Sequence, residues 1–286
     1  MTRSAFLISL FCAALFLGAC GDDDGQGTVQ VETWGEEFIE DGIPAAEFED
    51  GWAVTYDVFA VSLGGITAAG ETLSGDTAVD LVKAGPHALG SADAAAGAIE
   101  PVAYHIAPVG SSTTNLNVDT AVFDAMQTNG YSVWVVGSAT KDGSTVTFAW
   151  GFTGTYDYHE CHATGSVTDG GTGTTQLTIH GDHLFYESLV DSDAGLRFQA
   201  FADADADANG EVTMAELQAV SGSVNVNLNN PSVDSNHWCI DTLLGLAGLF
   251  INIGDMIEDA FVDQVDTLLA GVGEMLGGHV LALAAI

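Results

Sequence analysis

Positive charge is what this chain has least of. Only 4 of its 286 residues are Lys or Arg, against 40 Asp or Glu, for a formal net charge of −36. Polyanion binding depends on Lys and Arg displacing counterions from phosphates, so nucleic acid is excluded as a partner. Direct adhesion to anionic lipid is disfavoured for the same reason. Self-repulsion of this size is tolerable where salt keeps screening short-ranged, which points to a saline or calcium-bearing medium. Catalytic signatures are missing as well: there is no G-x-S-x-G, no H-E-x-x-H, no phosphate loop and no dinucleotide fingerprint. Carboxylates are too common for one pair to stand out as an acid–base couple. The expectation is therefore a binding or structural protein and not an enzyme.

Cysteine is scarce too, and its four positions are informative: Cys12, Cys20, Cys161 and Cys239. Arg3 gives a short basic start, and Ala5 to Phe16 is an apolar stretch too short for a stable membrane span. It ends in Leu17-Gly18-Ala19-Cys20, which resembles the bacterial lipobox. That resemblance implies cleavage before Cys20, acylation of its thiol and a membrane anchor. The competing reading is an ordinary secretory signal with a stray cysteine. Residues 1–19 are thus read as a lipoprotein signal peptide and 20–27 as an acidic, glycine-rich tether. Gly21 after the cysteine gives no obvious inner-membrane retention signal, so the outer membrane is favoured, on its periplasmic or surface face. Cys161 and Cys239 remain, and in an oxidising compartment they are expected to pair. Such a bond adds about 2–4 kcal/mol. The alternative makes Cys161, between His159 and His162, a thiolate metal ligand.

The strongest functional signal is Asp205 to Glu216, D-A-D-A-N-G-E-V-T-M-A-E. Ca²⁺ takes six to eight oxygens at about 2.3–2.6 Å, and a twelve-residue loop supplies them from positions 1, 3, 5, 7, 9 and 12. Those positions are Asp205, Asp207, Asn209, Glu211 through its carbonyl, Thr213 through a water, and Glu216 as the bidentate closer. Gly210 falls at position 6, where a sharp turn needs positive φ. Val212 is placed to plug the loop onto a core. Starting at Asp203 instead would put Ala208 at the glycine position and Met214 at the closing one, so Asp205 is position 1. Leu196, Phe198 and Phe201 suit an entering helix, Leu217 and Val220 a leaving one. The stretch resembles the EF-hand family, and Ca²⁺ is the cofactor it implies. No second loop is present to pair with it, which fits a structural or low-affinity site.

The patterning predicts a mainly β fold, a β-sandwich followed by an EF-hand-like helix–loop–helix and an amphipathic helical region. Period-two alternation marks strands at Thr28–Thr33, Trp52–Leu63, Ile66–Ala68, Ala78–Leu81 and Val102–Ile106. Ser132–Ser138 and Ser144–Trp150 form a hairpin around Asp142-Gly143, and Thr174–His180 closes the series. Residues 36–48 are left for a helical turn or loop insertion. The boundaries are 28–190 for the sandwich, 191–222 for the calcium segment and 223–286 for a connector and helical region. In that last region Ile253, Ile257, Phe261, Val265, Leu268, Val272 and Met275 share one helical face, for packing on the sandwich. Acids interrupt its apolar run, which argues against a membrane span.

A second constellation is histidine-rich. His180-Gly181-Asp182-His183 lies where the last strand ends, and His159-Glu160-Cys161-His162 ends an earlier one. Imidazoles with a carboxylate suit Zn, Cu or Fe. The alternative function is therefore transition-metal handling, or a metalloenzyme, built on His180, Asp182, His183 and one of His159 or His162. The plainer reading has these side chains capping turns. Trp34 and Trp52 offer a weaker third idea, carbohydrate binding, against a role in the core.

The runs Trp34–Asp57, Ile179–Leu189 and Leu196–Asp207 are similar to a group of Gram-negative cell-envelope lipoproteins in which a sandwich region precedes a single calcium loop. The resemblance covers most of the chain to about Val220 and implies export, lipidation and calcium. It implies no reaction, and the apolar carboxy-terminal region departs from it.

Overall fold

A computed structural model describes residues 25–73, 75–186, 195–219 and 240–241. In chain order come β1 (Gln26–Trp34), α1 (Glu36–Glu40), β2 (Ala53–Ala68), β3 (Glu71–Thr72), β4 (Thr77–Asp80), β5 (His87–Ala95), β6 (Gly97–Ala98), β7 (Val102–Ile106) and β8 (Thr114–Asn115). Helix α2 (Thr120–Asn129) follows, then β9 (Val133–Lys141), β10 (Ser144–Phe152), β11 (Tyr156–Cys161), β12 (Ser166–Val167), β13 (Thr172–Thr178) and a 3₁₀ turn (Gly181–Phe185). The last elements are α3 (Gln199–Ala202), β14 (Glu211–Thr213), α4 (Met214–Ala219) and β15 (Ile240–Asp241).

The fold is mainly β, in several sheets. A three-stranded sheet runs β13-β1-β5. A larger sheet has the path β14-β10-β9-β2-β7-β11-β15, with β3, β4 and β8 attached beside it. One buried cluster draws on both: Val29 and Val31 of β1 and Leu177 of β13 pack with Phe59, Val61, Val135, Phe148 and Trp150 of the larger sheet. Each such burial stabilises by about 1.5–3 kcal/mol. Among the described residues no helix is long and apolar enough to cross a membrane.

Strand β2 shows how sequence and sheet are matched. Val54 and Tyr56 are buried, and so are Phe59, Val61 and Leu63. The inward parity therefore switches from even to odd. The register against β9 shifts between Tyr56 and Val58, and this bulge at Asp57 makes the switch, since one extra residue turns every later side chain over. Beyond it the strand is buried at consecutive positions, because Ala60 packs with Ala78, Val118 and Met126 on its other side. The expected separate strand at Ile66–Ala68 is the end of β2, running on through Gly64 and Gly65. There φ is +57° at Gly65, and a Cβ would meet His105 Nδ1 at 2.5 Å.

Two further expectations are corrected. Beyond the helical turn expected within 36–48, the span read as β also contains α2, which is capped at both ends. Asp119 accepts from Ala121 N–H at 3.1 Å, and Gly130 sits in the left-handed region at φ +69°. Strand β5 went unpredicted because H-A-L-G-S-A-D-A-A has no β-branched residue. The Asp142-Gly143 hairpin is present, with both residues at positive φ, 50° and 83°, as a two-residue turn between twisted strands requires. The expected helical region at 253–275 lies outside the described residues.

The segment from Leu196 onward is strapped to the sheet by long-range contacts. Leu196 bridges Phe48 and Tyr186. Arg197 pairs with Glu49, and its N–H donates to Phe185 O at 2.9 Å. The start of α3 has no cap of its own, so Asp50 Oδ2 accepts from Phe198 N–H at 2.8 Å and Gln199 N–H at 2.7 Å. Phe198 is fully buried and its ring meets Trp52, Phe148, Phe185 and Phe201 at 5.2–6.1 Å. Truncating Phe198 to Ala should cost about 3–5 kcal/mol, read as a shift of the urea midpoint. A loss below about 1 kcal/mol would remove this ring from its assigned place in the core.

Candidate functional sites

The 205–216 loop leaves α3 and returns to the sheet edge. Its carboxylates are held by the loop's own backbone. Asp205 Oδ2 accepts from Gly210 N–H at 2.8 Å, and Asp207 Oδ1 accepts from Asn209 N–H at 3.1 Å. Asn209 Oδ1 accepts from Glu211 N–H at 2.6 Å. Glu216 reaches back over the loop: Oε1 accepts from Ala206 N–H at 3.2 Å, and Oε2 from Thr213 N–H and hydroxyl at 2.9 and 2.8 Å. The Thr213 N–H, then its hydroxyl, hold the Glu216 carboxyl below its ordinary pKa. Oxygens of Asp205, Asp207 and Glu216 lie within 4.8 Å of one another. Gly210 has φ +84°, and Ala208 is also left-handed at +56°, at a cost of roughly 1–2 kcal/mol.

The far side of the loop belongs to the sheet. β14 pairs in parallel with β10, Phe148 opposite Val212. Val212 is fully buried, its carbonyl accepts from Trp150 Nε1 at 2.9 Å, and Gly210 O accepts from Thr147 N–H at 2.8 Å. The strand edge of the loop is thus satisfied by β10.

The histidines divide. His180, Asp182 and His183 come together, with ligand atoms within 4.8 Å of one another. Gly181 allows this: a Cβ there would lie 2.7 Å from Ile39 Cγ1 and 2.9 Å from Tyr56 Cε2, so only glycine lets the turn press onto α1 and β2. Tyr56 OH donates to Gly181 O at 2.6 Å. His180 Nδ1 lies 3.3 Å from Glu36 Oε2, and the His180 and His183 rings stack at 4.9 Å. His159 and His162 do not join this cluster, contrary to the sequence expectation. His159 is in β11, in the other sheet. His162 is exposed and pairs with Glu100 at 3.0 Å.

Cys161 is disulfide-bonded, which removes it as a thiolate ligand. Cys239 lies outside the described residues, as does Cys20; Ile240, next after Cys239, pairs with His159 beside Cys161. Trp52 is buried at 4% exposure and belongs to the core, so it offers no carbohydrate platform. Sequence reasoning missed Glu36, Asp50 and Tyr186; none carries a local motif, and each acts on a residue distant in the chain or in a turn that only folding forms.

No protein-family model, curated protein or solved structure matches the chain.

Burial pulls the His183 pKa down to about 4 from 6.5, opposed by the Asp182 carboxylate and aided by the His180 ring. The unfolded chain takes up this proton below about pH 6.5, whereas the folded chain refuses it until about pH 4. The contribution is therefore complete above pH 6.5 and is lost as pH falls toward 4, by an amount on the order of 3 kcal/mol. Urea unfolding at stepped pH in chelator should show this slope, and His183→Asn should flatten it. An equal slope in the variant would assign the acid sensitivity elsewhere.

Proposed function

We propose that this chain is an exported, lipid-anchored calcium-binding protein of the cell envelope, non-enzymatic, in which Ca²⁺ cements the fold. The observation that carries the reading is the convergence of Asp205, Asp207 and Glu216 on one point, in a loop whose glycine has the positive φ its position needs. A dication there offsets the mutual repulsion of carboxylates that hydrogen bonds from loop N–H groups only partly relieve. In this reading the helix–loop–helix is EF-hand-like and the two larger sheets form a sandwich. The lone loop needs no second hand, because β10 supplies the edge that a paired loop would otherwise occupy. The Leu17-Gly18-Ala19-Cys20 motif supports acylation at Cys20 and an outer-membrane location, and a Cys161–Cys239 bridge would tie the chain across the calcium segment.

Calcium binds the folded loop and not the unfolded chain, so its binding energy becomes folding energy. At free Ca²⁺ about a hundredfold above Kd, stability should rise by about 2.7 kcal/mol. The rise is read as a higher Tm that EDTA reverses and Glu216→Gln abolishes. Superimposable melting curves with calcium and with chelator would sink the reading. For the anchor, Cys20→Ser should move the protein from the detergent to the aqueous phase on partitioning; retention in the detergent phase would refute acylation at this residue.

A further inference from the structure

We propose that His180, Asp182 and His183 bind one divalent transition-metal ion, with Glu36 orienting His180. The site is separate from the calcium loop and does not depend on that loop's assignment. Its geometry follows from the 3₁₀ turn. His180 flanks the turn in an extended conformation and His183 lies within it three residues on, and their rings stack with only 13° between their planes. Asp182 comes from the same turn. All three offer a ligand atom within a 4.8 Å group.

A second observation points to an ion. Asp182 is 6% exposed. Its Oδ2 accepts from Tyr186 OH at 3.0 Å, but its buried Oδ1 has no hydrogen-bond partner. A buried carboxylate oxygen left unpaired keeps its full desolvation penalty, and a cation between the two imidazoles removes it. Glu36 Oε2 faces His180 Nδ1, the carboxylate–histidine arrangement that fixes ring orientation at metal centres. This leaves His180 Nε2 as the ligand atom; its present neighbour is Thr178 Oγ1, at 3.5 Å.

Donor chemistry selects the class of ion. Two imidazoles and one carboxylate suit Zn²⁺ and Fe²⁺, whereas Ca²⁺ takes six to eight oxygens. Metal–nitrogen bonds of about 2.0–2.1 Å require ligand nitrogens no more than about 4.2 Å apart. His180, with 31% of its side chain exposed, has the freedom to close that distance. Three protein ligands leave a coordination position open for water or a small ligand, and the exposed side of His180 is where it would open.

The test uses the full chain, stripped with EDTA and returned to millimolar Ca²⁺ as a competitor for carboxylates elsewhere, with Glu216→Gln run in parallel so that any ion taken by the acidic loop is told apart from one at His180. Calorimetric titration with Zn²⁺ should then show one ion per chain. His180→Asn and Asp182→Asn should each weaken it at least about tenfold, and Glu36→Gln by about 10–100-fold with stoichiometry kept. Co²⁺ should give visible d–d bands that His180→Asn abolishes. An unchanged near-ultraviolet circular dichroism spectrum certifies the fold, and His180, at the surface, is the variant that keeps the test decisive if Asp182→Asn unfolds. Absence of zinc heat and cobalt bands in the folded wild-type chain would overturn the proposal. So would zinc binding indifferent to His180→Asn.

Discussion

The structure turns on how residues 195–219 are held to the larger sheet. Their attachment is an aromatic cluster, Phe198 and Phe201 against Phe148, Trp150 and Phe185, locked by one carboxylate, Asp50, that satisfies two N–H groups at the start of α3. A four-residue helix cannot sustain itself, since nucleation costs more than so few hydrogen bonds return. Asp50 and the buried rings make it persist. Because α3 delivers Asp205 and Asp207, and β14 lies on β10, the position of the acidic loop is inherited from the sheet.

The same strap connects the two ion sites proposed above. Phe185, which ends the 3₁₀ turn carrying His183, packs on Phe198 at 5.5 Å and accepts a hydrogen bond from Arg197. Loop and histidine cluster therefore share one packed layer, and ordering either one orders a common set of rings. Both proposals answer the same physical problem, negative charge gathered by an acidic chain with few cations of its own. Lys83 and Arg197 are already committed to Asp80 and Glu49.

Local turns and loop registers were more legible than topology. The register of the acidic loop could be set from residue identity alone, since an Asp203 start fails at Ala208 and Met214. The observed positive φ at Gly210 and burial of Val212 sit where that register places them. The Asp142-Gly143 hairpin was legible for a similar reason: two adjacent residues carry the whole signal. Helix α2 could have been read from Asp119 and Asn129-Gly130 but was masked by the strands around it. The bulge at Asp57 was hidden, because an inserted residue leaves an apolar run looking continuous.

Ligand spacing in the acidic loop, turn chemistry at the hairpin and the i, i+3 placement of His180 and His183 are properties of chain order. They involve residues within one or two turns of each other, where covalent geometry decides what can meet. The parallel pairing of β14 with β10, the capping of α3 by Asp50, the reach of Glu36 to His180 and the separation of His159 and His162 from that cluster belong to the folded whole. Each joins or parts residues far apart in the chain. Burial and sheet order, to which no local pattern is sensitive, settled them.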